Sequence, residues 1–269
     1  MMMRIASAIV AILLLFVLYW LWGANGILGL CSVAILACIR EYSRMAIHRF
    51  SPPPHLEIVF AVLTAFIFFA SLGDYFWCLS ALAIGTVSFL AMSLLEVRCS
   101  EDLPPTLQLQ SMGILGFLYC GLFPGLAVRF LFQDRGAVWL FGLMAIVFTG
   151  DTFAYLFGRA IGRHKLLEAV SPKKTIEGAI GGLLGSSLAG AILGIFFLSD
   201  RPLWAIVLTA LTTGAFAQVG DLFESLLKRV ADVKDSGTLM PGHGGILDRV
   251  DGLLFAAPVY YVLARFLVL

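Results

Sequence analysis

The sequence IVFAVLTAFIFFASL, residues 58–72, contains no charged side chain, and a second apolar run, FWCLSALAIGTVSFLAMSLL, occupies residues 76–95. A helix of roughly 20 mostly apolar residues spans the hydrocarbon core of a bilayer. The two runs therefore predict a pair of transmembrane helices joined by a short turn. Working outward by the same criterion, we predict nine spans: 5–22, 26–39, 57–73, 76–95, 111–131, 137–158, 178–198, 203–219 and 253–268.

The overall composition indicates the same class of protein. The chain has 269 residues, of which 60% are hydrophobic and 13% are charged, whereas a soluble domain is about 45–50% apolar and about 25% charged. The formal net charge of +1 gives no reason to expect nucleic acid as a partner. We therefore predict an all-α integral membrane protein, a polytopic helical bundle of about nine transmembrane helices.

The first two spans raise two questions, whether each crosses the bilayer completely and whether the first is a cleaved signal peptide. Only 23–25 separates the first span from the second, so a re-entrant pair is an alternative to two full spans. The first apolar run is longer than the core of a typical signal peptide, and we expect it to remain uncleaved.

The distribution of basic residues predicts the orientation. Cytoplasmic segments of membrane proteins are enriched in Lys and Arg. If the N-terminus faces the cytoplasm, only Arg129, Arg135 and Arg201 of the 18 Lys and Arg residues lie on the opposite side, and Arg265 falls inside the last span. We therefore expect the N-terminus in and the C-terminus out, in the inner (plasma) membrane of the cell.

This orientation places the two longest polar loops, about 159–177 and 220–252, on the same cytoplasmic face. We divide the chain accordingly into N-terminal transmembrane helices, 1–135, and a C-terminal transmembrane catalytic region, 136–269, which carries both loops. Because the loops share one face, they can contribute residues to one active site at the membrane surface.

The second loop begins with a polar stripe. Asp221, Glu224, Ser225, Lys228 and Arg229 recur at helical spacing, so that on a helix they share one face. Taken alone, the stripe favours an interfacial helix with its polar side in water.

The residues that follow favour a binding site instead. Glycines flank His243, and Asp248 and Asp251 stand three positions apart. Carboxylates are the oxygen ligands that Mg²⁺ prefers, while Lys and Arg bind phosphate oxygens. The mixture of acidic and basic side chains between 221 and 251 therefore suits a site that holds a divalent cation together with phosphate.

A second basic group precedes α-helical sequence. Pro172-Lys173-Lys174-Thr175 is typical of a helix start, where free N–H groups favour an anion. Contact with lipid headgroups is the alternative.

Asp151 interrupts the span 137–158. A carboxylate inside hydrocarbon costs about 2.5–3.5 kcal/mol, so Asp151 should face an internal cavity or a partner. A structural pair with Arg159 remains open.

Two further groups are expected to be structural. The glycine series at 178–185 lacks the ending of a phosphate-binding loop and predicts close helix packing. Four residues after the second span are expected to form a solvated interfacial face: Arg40, Glu41, Arg44 and Arg49.

The stretch SLLKRVADVKDSGTLMPGHGGILDRVD, residues 225–251, resembles the signature of the phosphatidate cytidylyltransferases, also called CDP-diacylglycerol synthases. Supporting similarity lies in GDTFAY at 150–155, SPKKTIEG at 171–178 and QVGD at 218–221. Met240 stands where the pattern has Leu, Ile or Phe, a substitution of similar volume. The similarity covers the C-terminal half, and the N-terminal half matches only as apolar spans.

The resemblance implies transfer of the cytidylyl group of CTP to phosphatidic acid in the bilayer, giving CDP-diacylglycerol and pyrophosphate, with Mg²⁺ as cofactor. A second cation and a homodimer are left open. The implied catalytic residues are Asp221, Asp248, Lys228 and Arg249. The implied metal ligands are Asp221, Asp248 and Asp251, and Asp151 for a second cation or as a brace. The implied substrate-binding residues are Lys173, Lys174, Ser225, Arg229, Lys234, Asp235, His243, Gly244 and Gly245.

Two other functions remain as alternatives. A CTP-dependent polyprenol kinase would use similar spans and the same nucleotide but would transfer the γ-phosphoryl group. A membrane transporter would explain an intramembrane Asp151, but it would give no reason for the glycine-flanked His243 and the paired aspartates.

Overall fold

The computed structural model describes residues 17–239 and 244–268. Eight helical stretches in these residues are long and apolar enough to cross a membrane: Ala24–Phe50, Pro54–Ser71, Tyr75–Leu94, Ser100–Phe132, Gly136–Ile161, Ile176–Phe197, Leu203–Val230 and Leu247–Val268. They correspond one to one to the second to ninth predicted spans, so the prediction of an all-α polytopic membrane protein is confirmed. Most of the first predicted span, 5–22, lies outside the described residues, and 17–22 are helical.

The regular elements follow one another along the chain. They are α1 (Ala24–Tyr42), α2 (Pro54–Ser71), α3 (Tyr75–Leu94), α4 (Leu103–Gly116), α5 (Phe123–Arg129), α6 (Gly136–Ile161), β1 (Lys165–Leu167), β2 (Ser171–Thr175), α7 (Ile176–Phe197), α8 (Leu203–Val230) and α9 (Leu247–Leu263). Single π-helical turns extend α1, α4 and α9: Ser43–Ile47, Phe117–Leu122 and Ala264–Val268. With its π-helical turn and the 3-10 turn His48–Phe50 that follows, the helical stretch that begins with α1 has 27 residues and is about 40 Å long, which exceeds the short predicted span 26–39.

The chain divides into two compact units. Unit 1 comprises the described residues up to Phe132 together with Ala231–Arg249, and unit 2 comprises Gln133–Val230 and the described residues from Val250 onward. The segment Ala231–Arg249, which is predicted as part of the C-terminal region, thus groups with the N-terminal helices.

Aromatic rings form the core of unit 1. Phe60 of α2 stacks on Phe117 with ring centroids 5.6 Å apart and on Tyr42 at 5.9 Å. Gly116 permits this packing, because a Cβ there would lie 2.6 Å from atoms of both the Phe60 and the Tyr42 rings. Helices in lipid associate through close packing and interhelical hydrogen bonds rather than through the hydrophobic effect, and the Tyr42 hydroxyl adds such a bond by donating to the Met112 carbonyl at 2.8 Å.

Glycines allow the helices of unit 2 to pack closely. A Cβ at Gly181 would lie 2.5 Å from Phe157, and one at Gly185 would lie 2.7 Å from Phe153, so α7 packs with its glycine face against α6. The predicted role of the 178–185 series in helix packing is confirmed.

The connection between α6 and α7 is a two-stranded antiparallel ribbon, in which Lys165 pairs with Thr175 and Leu167 pairs with Ser171. The predicted helix start at Pro172 is wrong. Thr175 caps α7 instead, since its Oγ1 accepts a hydrogen bond from the Gly178 amide at 3.1 Å, which satisfies one of the N–H groups at the helix terminus. The basic pair of this ribbon therefore lies on a strand and not at a helix terminus.

The last turns of α8 carry the polar stripe. The helix runs unbroken from Leu203 to Val230, so the residues from Asp221 to Arg229 are a continuation of the eighth predicted span and not part of a loop. The helix is followed by a connection whose described residues, 231–239 and 244–246, contain no helix, and α9 begins at Leu247. The fall in hydropathy at residue 220 therefore marks the point where polar side chains begin on α8 and not the end of the helix.

Candidate active site

An ion pair in unit 2 joins two predicted site residues from different elements. Nζ of Lys174 on β2 lies 2.7 Å from Oδ2 of Asp221 on α8, and the two side chains are 25% and 40% exposed. The hairpin conformation of the ribbon presents Lys174 toward α8, and the half-exposed pair remains accessible to a ligand. A lysine and a carboxylate at this distance offer one group for phosphate and one for a cation.

Two more predicted carboxylates of unit 2 belong to the same group. Asp251 interacts electrostatically with Asp221, Asp151 and Lys228, and Asp151 interacts with Asp221 and Lys174. Gly220 allows α8 and α9 to approach, because a Cβ there would lie 2.6 Å from the Asp251 carbonyl oxygen. The three carboxylates and two lysines thus form one charged group, here the unit 2 group.

Arg159 does not form the alternative structural pair with Asp151. Among the described residues, Arg159 donates from Nη1 to the Tyr155 hydroxyl at 3.2 Å, and no ion pair links it to Asp151. Asp151 instead interacts electrostatically with Asp221 and Lys174 of the unit 2 group.

Lys228 is held by Glu224, a residue of the polar stripe that was not among the predicted site residues. Its ammonium forms an ion pair with Glu224 one turn earlier on α8, and the Glu224 side chain is only 1% exposed. Buried carboxylates are costly unless they are paired, so the pair fixes the position of both side chains. The signal in the sequence was the i, i+4 spacing of opposite charges within the stripe.

In unit 1, the connection before α9 is organised around Asp248. Its Oδ2 accepts hydrogen bonds from the Ser236 amide at 2.9 Å, the Ser236 hydroxyl at 2.9 Å and the Gly245 amide at 2.8 Å. Gly244 has φ = 82°, and a Cβ there would lie 2.6 Å from Asp248 Oδ2. Glycine is therefore required at 244 both by the backbone conformation and by the close carboxylate.

The prediction that Glu41 lies on a solvated face is wrong. Glu41 is 1% exposed, and it accepts hydrogen bonds from the Ile246 amide at 3.0 Å and the Leu247 amide at 2.8 Å. Arg40, Arg44 and Arg49 are exposed, as predicted. Of the four charged residues, only Glu41 is buried. Its position in the sequence gives no indication of this burial.

The remaining predicted residues are distributed over the same elements. In unit 2, Ser225 follows Asp221 by one turn of α8, and Arg229 donates from Nε to the Val170 carbonyl at 3.4 Å, while Lys173 is exposed on β2. In unit 1, the exposed residues of the connection include Lys234 and Asp235, and exposed Arg249 follows Asp248. His243 lies outside the described residues.

Comparison with known proteins shows the family to which the chain belongs. The sequence model of the cytidylyltransferase family matches residues 2–267. The chain belongs to the cytidylyltransferase family. The resemblance inferred from residues 225–251 is thus confirmed.

Several similar proteins are named phosphatidate cytidylyltransferase. The chain is 31% identical to the phosphatidate cytidylyltransferase of Staphylococcus haemolyticus over 267 residues, 98% of each protein. It is 40% identical to that of Staphylococcus saprophyticus and 42% identical to that of Staphylococcus aureus, in each case over 141 residues. These two alignments span 52% of this chain and 54% of each relative.

The carboxylates of unit 2 are the residues that could serve as ligands for Mg²⁺. Among the described residues, no group of three or more His, Cys, Asp or Glu side chains is placed to hold a metal ion by itself. Mg²⁺ is commonly bound by one or two carboxylates, with waters and substrate phosphates completing its shell. The half-exposed Asp221, with Asp251 and Asp151 interacting nearby, supplies donors of this kind.

Proposed function

We propose that this multi-pass membrane enzyme transfers the cytidylyl group of CTP to phosphatidic acid, producing CDP-diacylglycerol and pyrophosphate for phospholipid synthesis. The observation that carries the proposal is the unit 2 group, in which carboxylates and lysines from β2, α6, α8 and α9 come together. Membership of the cytidylyltransferase family and relatives named phosphatidate cytidylyltransferase support this substrate pair.

The main requirement of this reaction is to neutralise the negative charge of the substrates. Proton transfer is less important. A phosphate oxygen of the lipid forms a bond to the α-phosphorus of CTP, and the bond from that phosphorus to the bridging oxygen of the β-phosphate breaks. The attacking phosphate is already ionised, so no general base is needed. Both substrates are anionic, and positioning together with electrostatic stabilisation then supplies most of the catalysis.

The two lysines of the unit 2 group are suited to that task. Lys174 and Lys228 each contact a carboxylate, which fixes the direction of each ammonium. We assign them to phosphate oxygens, with Lys173, Arg229, Lys234 and Arg249 as further candidates.

Mg²⁺, when bound, would neutralise phosphate charge and align the nucleotide. Asp221 is the first ligand that we assign, with Asp251 and Asp151 beside it. Asp248 is the ligand that the family signature predicts in unit 1. The Ser236 and Gly245 amides donate to Asp248 Oδ2, which fixes the position of this carboxylate in unit 1.

The location of the substrates agrees with the predicted orientation. CTP is cytosolic and phosphatidic acid lies in the bilayer, so the proposed site faces the cytoplasm, with the N-terminus in and the C-terminus out of the plasma membrane. A homodimer remains compatible with this arrangement.

Product identification tests the proposal. Purified protein is incubated with Mg²⁺, phosphatidic acid and CTP labelled at the α-phosphate, and we expect label in CDP-diacylglycerol with release of pyrophosphate. Asp221→Asn should abolish turnover, whereas Asp200→Asn, in the same unit but paired with Arg135, should retain it. Label transferred to a polyprenol from γ-labelled CTP, with release of CDP, would identify a kinase. Absence of any product would favour transport and refute the proposal.

A further inference from the structure

We propose that Glu41 is a positioning residue, which holds the connection before α9 against α1 and thereby orients Asp248. The inference rests on the proposed function, because it gives Asp248 its reason to be oriented. It assigns a role in the reaction to a residue of the N-terminal half, far in sequence from the stretch 225–251 that carries the resemblance.

Glu41 forms a set of hydrogen bonds with residues about 200 positions later in the chain. Oε1 accepts from the Ile246 amide at 3.0 Å, and Oε2 accepts from the Leu247 amide at 2.8 Å and from the Ser236 hydroxyl at 3.0 Å. Both oxygens thus face hydrogen-bond donors. Glu41 therefore acts as an acceptor for the backbone of the connection and not as a cation ligand.

Ser236 links Glu41 to Asp248. Its Oγ lies 3.0 Å from Glu41 Oε2 and 2.9 Å from Asp248 Oδ2, and it accepts from the Asp248 amide at 3.3 Å. The Ser236 hydroxyl can donate its single hydrogen to either carboxylate. A displacement of Glu41 is therefore transmitted to Asp248 through one side chain.

The backbone of the connection is shaped to admit Glu41. A Cβ at Gly237 would lie 2.8 Å from the Glu41 carboxyl carbon, and one at Gly245 would lie 2.6 Å from it. Neither position can carry a side chain without displacing the carboxylate. Two glycines of the family-like stretch are thus explained by contact with Glu41.

The location of Glu41 makes a purely incidental role costly. Its helix belongs to the apolar stretch Ala24–Phe50, and its side chain is 1% exposed. A buried carboxylate in such a helix is expensive to insert. A neutral side chain could fill the same space, so the charge serves the three donors of the connection.

Hydrogen exchange of the ligand-free protein measures the contact directly. In Glu41→Gln, the amide side chain retains one acceptor but presents N–H donors to the donors of the connection. Because hydrogen bonds to charged groups are stronger than neutral ones, exchange at Ile246 and Leu247 should accelerate at least about tenfold. Exchange in α2 should stay unchanged. Glu57→Gln is the matched control, since Glu57 pairs with exposed His48.

Magnesium dependence then separates positioning from folding. The half-saturating Mg²⁺ concentration for CDP-diacylglycerol formation should rise about tenfold in Glu41→Gln, with a smaller loss of kcat at saturating Mg²⁺. Ser236→Ala should act in the same direction while keeping the buried carboxylate. Because both variants break one linkage, the double variant should be close to the worse single variant rather than to the product of the two effects.

The possible failures are distinguishable. Unchanged exchange at residues 246 and 247, or acceleration of similar size in α2, would overturn the positioning role. So would an unchanged Mg²⁺ requirement in an active Glu41→Gln enzyme, or independent effects of the two substitutions. If the wild-type protein makes no CDP-diacylglycerol, the proposed function fails, and exchange still decides whether Glu41 holds the connection.

Discussion

Ser186 offers a quantitative test of how the helices of unit 2 pack. Its side chain is buried on α7, and its hydroxyl donates to the Ile146 carbonyl of α6 at 3.0 Å. Two glycines face it, Gly150 on α6 and Gly214 on α8. A Cβ at either position would overlap the Ser186 oxygen, but at Gly214 it would also lie 2.5 Å from the serine Cβ, whereas at Gly150 that distance would be 3.7 Å.

The two alanine substitutions should therefore differ in cost. In Gly150→Ala, the Ser186 hydroxyl can rotate away and lose its hydrogen bond, which costs about 1 kcal/mol. In Gly214→Ala, the overlap with the serine Cβ cannot be relieved by rotation, and the helices must move apart at a cost of about 1–3 kcal/mol. The gain in helix propensity from Gly to Ala, about 1 kcal/mol, is common to both and cancels in the comparison.

Ser186→Ala distinguishes the two cases because it removes only the oxygen. It should relieve the steric penalty of Gly150→Ala and leave most of that of Gly214→Ala. The apparent Tm of the purified protein in detergent, followed by intrinsic fluorescence, should change by roughly 2–4 °C for each kcal/mol. Equal relief at both positions, or none at Gly150, would refute the packing described here.

Two further predictions concern charged groups. Lys228→Ala should raise the KM for CTP at least about tenfold, with less effect on phosphatidic acid, because it removes an ammonium that we assign to phosphate and leaves Glu224 buried without it. Lys165→Ala on the ribbon is the control, and equal effects on both substrates would contradict the assignment. Outside the membrane spans, the hydrogen bond from Arg135 lowers the pKa of Asp200 below its ordinary value of 3.8. The pair therefore stabilises the folded state above that pH and loses its contribution as pH falls through the lowered pKa. The difference in apparent Tm between the wild type and Asp200→Asn should accordingly shrink in acid, and a difference that is independent of pH would contradict the pairing.

The number and order of the described spans were predictable from the sequence, because lipid requires each crossing segment to be apolar and helical. The limits of the helices were less predictable. α8 extends to Val230 because nothing in Asp221–Arg229 breaks a helix, although the residues are too polar for a hydropathy criterion. The ribbon before α7 was missed, because Pro172 is compatible with both a helix start and a strand.

The candidate site was predictable in composition and not in pairing. Asp221 and Lys174 were both predicted as ligands, but their ion pair depends on how β2 packs near α8, which no local pattern specifies. Glu41 was misassigned for a related reason. Its partners are amides more than 200 positions later in the chain, and backbone donors leave no trace in side-chain identity.

The separation between Glu41 and its partners also has a consequence for biosynthesis. The Glu41 carboxylate and the Ile246 amide that it accepts from are 205 residues apart. At a synthesis rate of about 5–20 residues per second, the carboxylate waits roughly 10–40 s after its own helix is made before the connection emerges. During that interval α1 carries a charge at the end of an apolar helix without those donors. The first half of this protein must therefore insert while the Glu41 carboxylate still lacks these hydrogen-bond donors, which are supplied only when the connection has been synthesised.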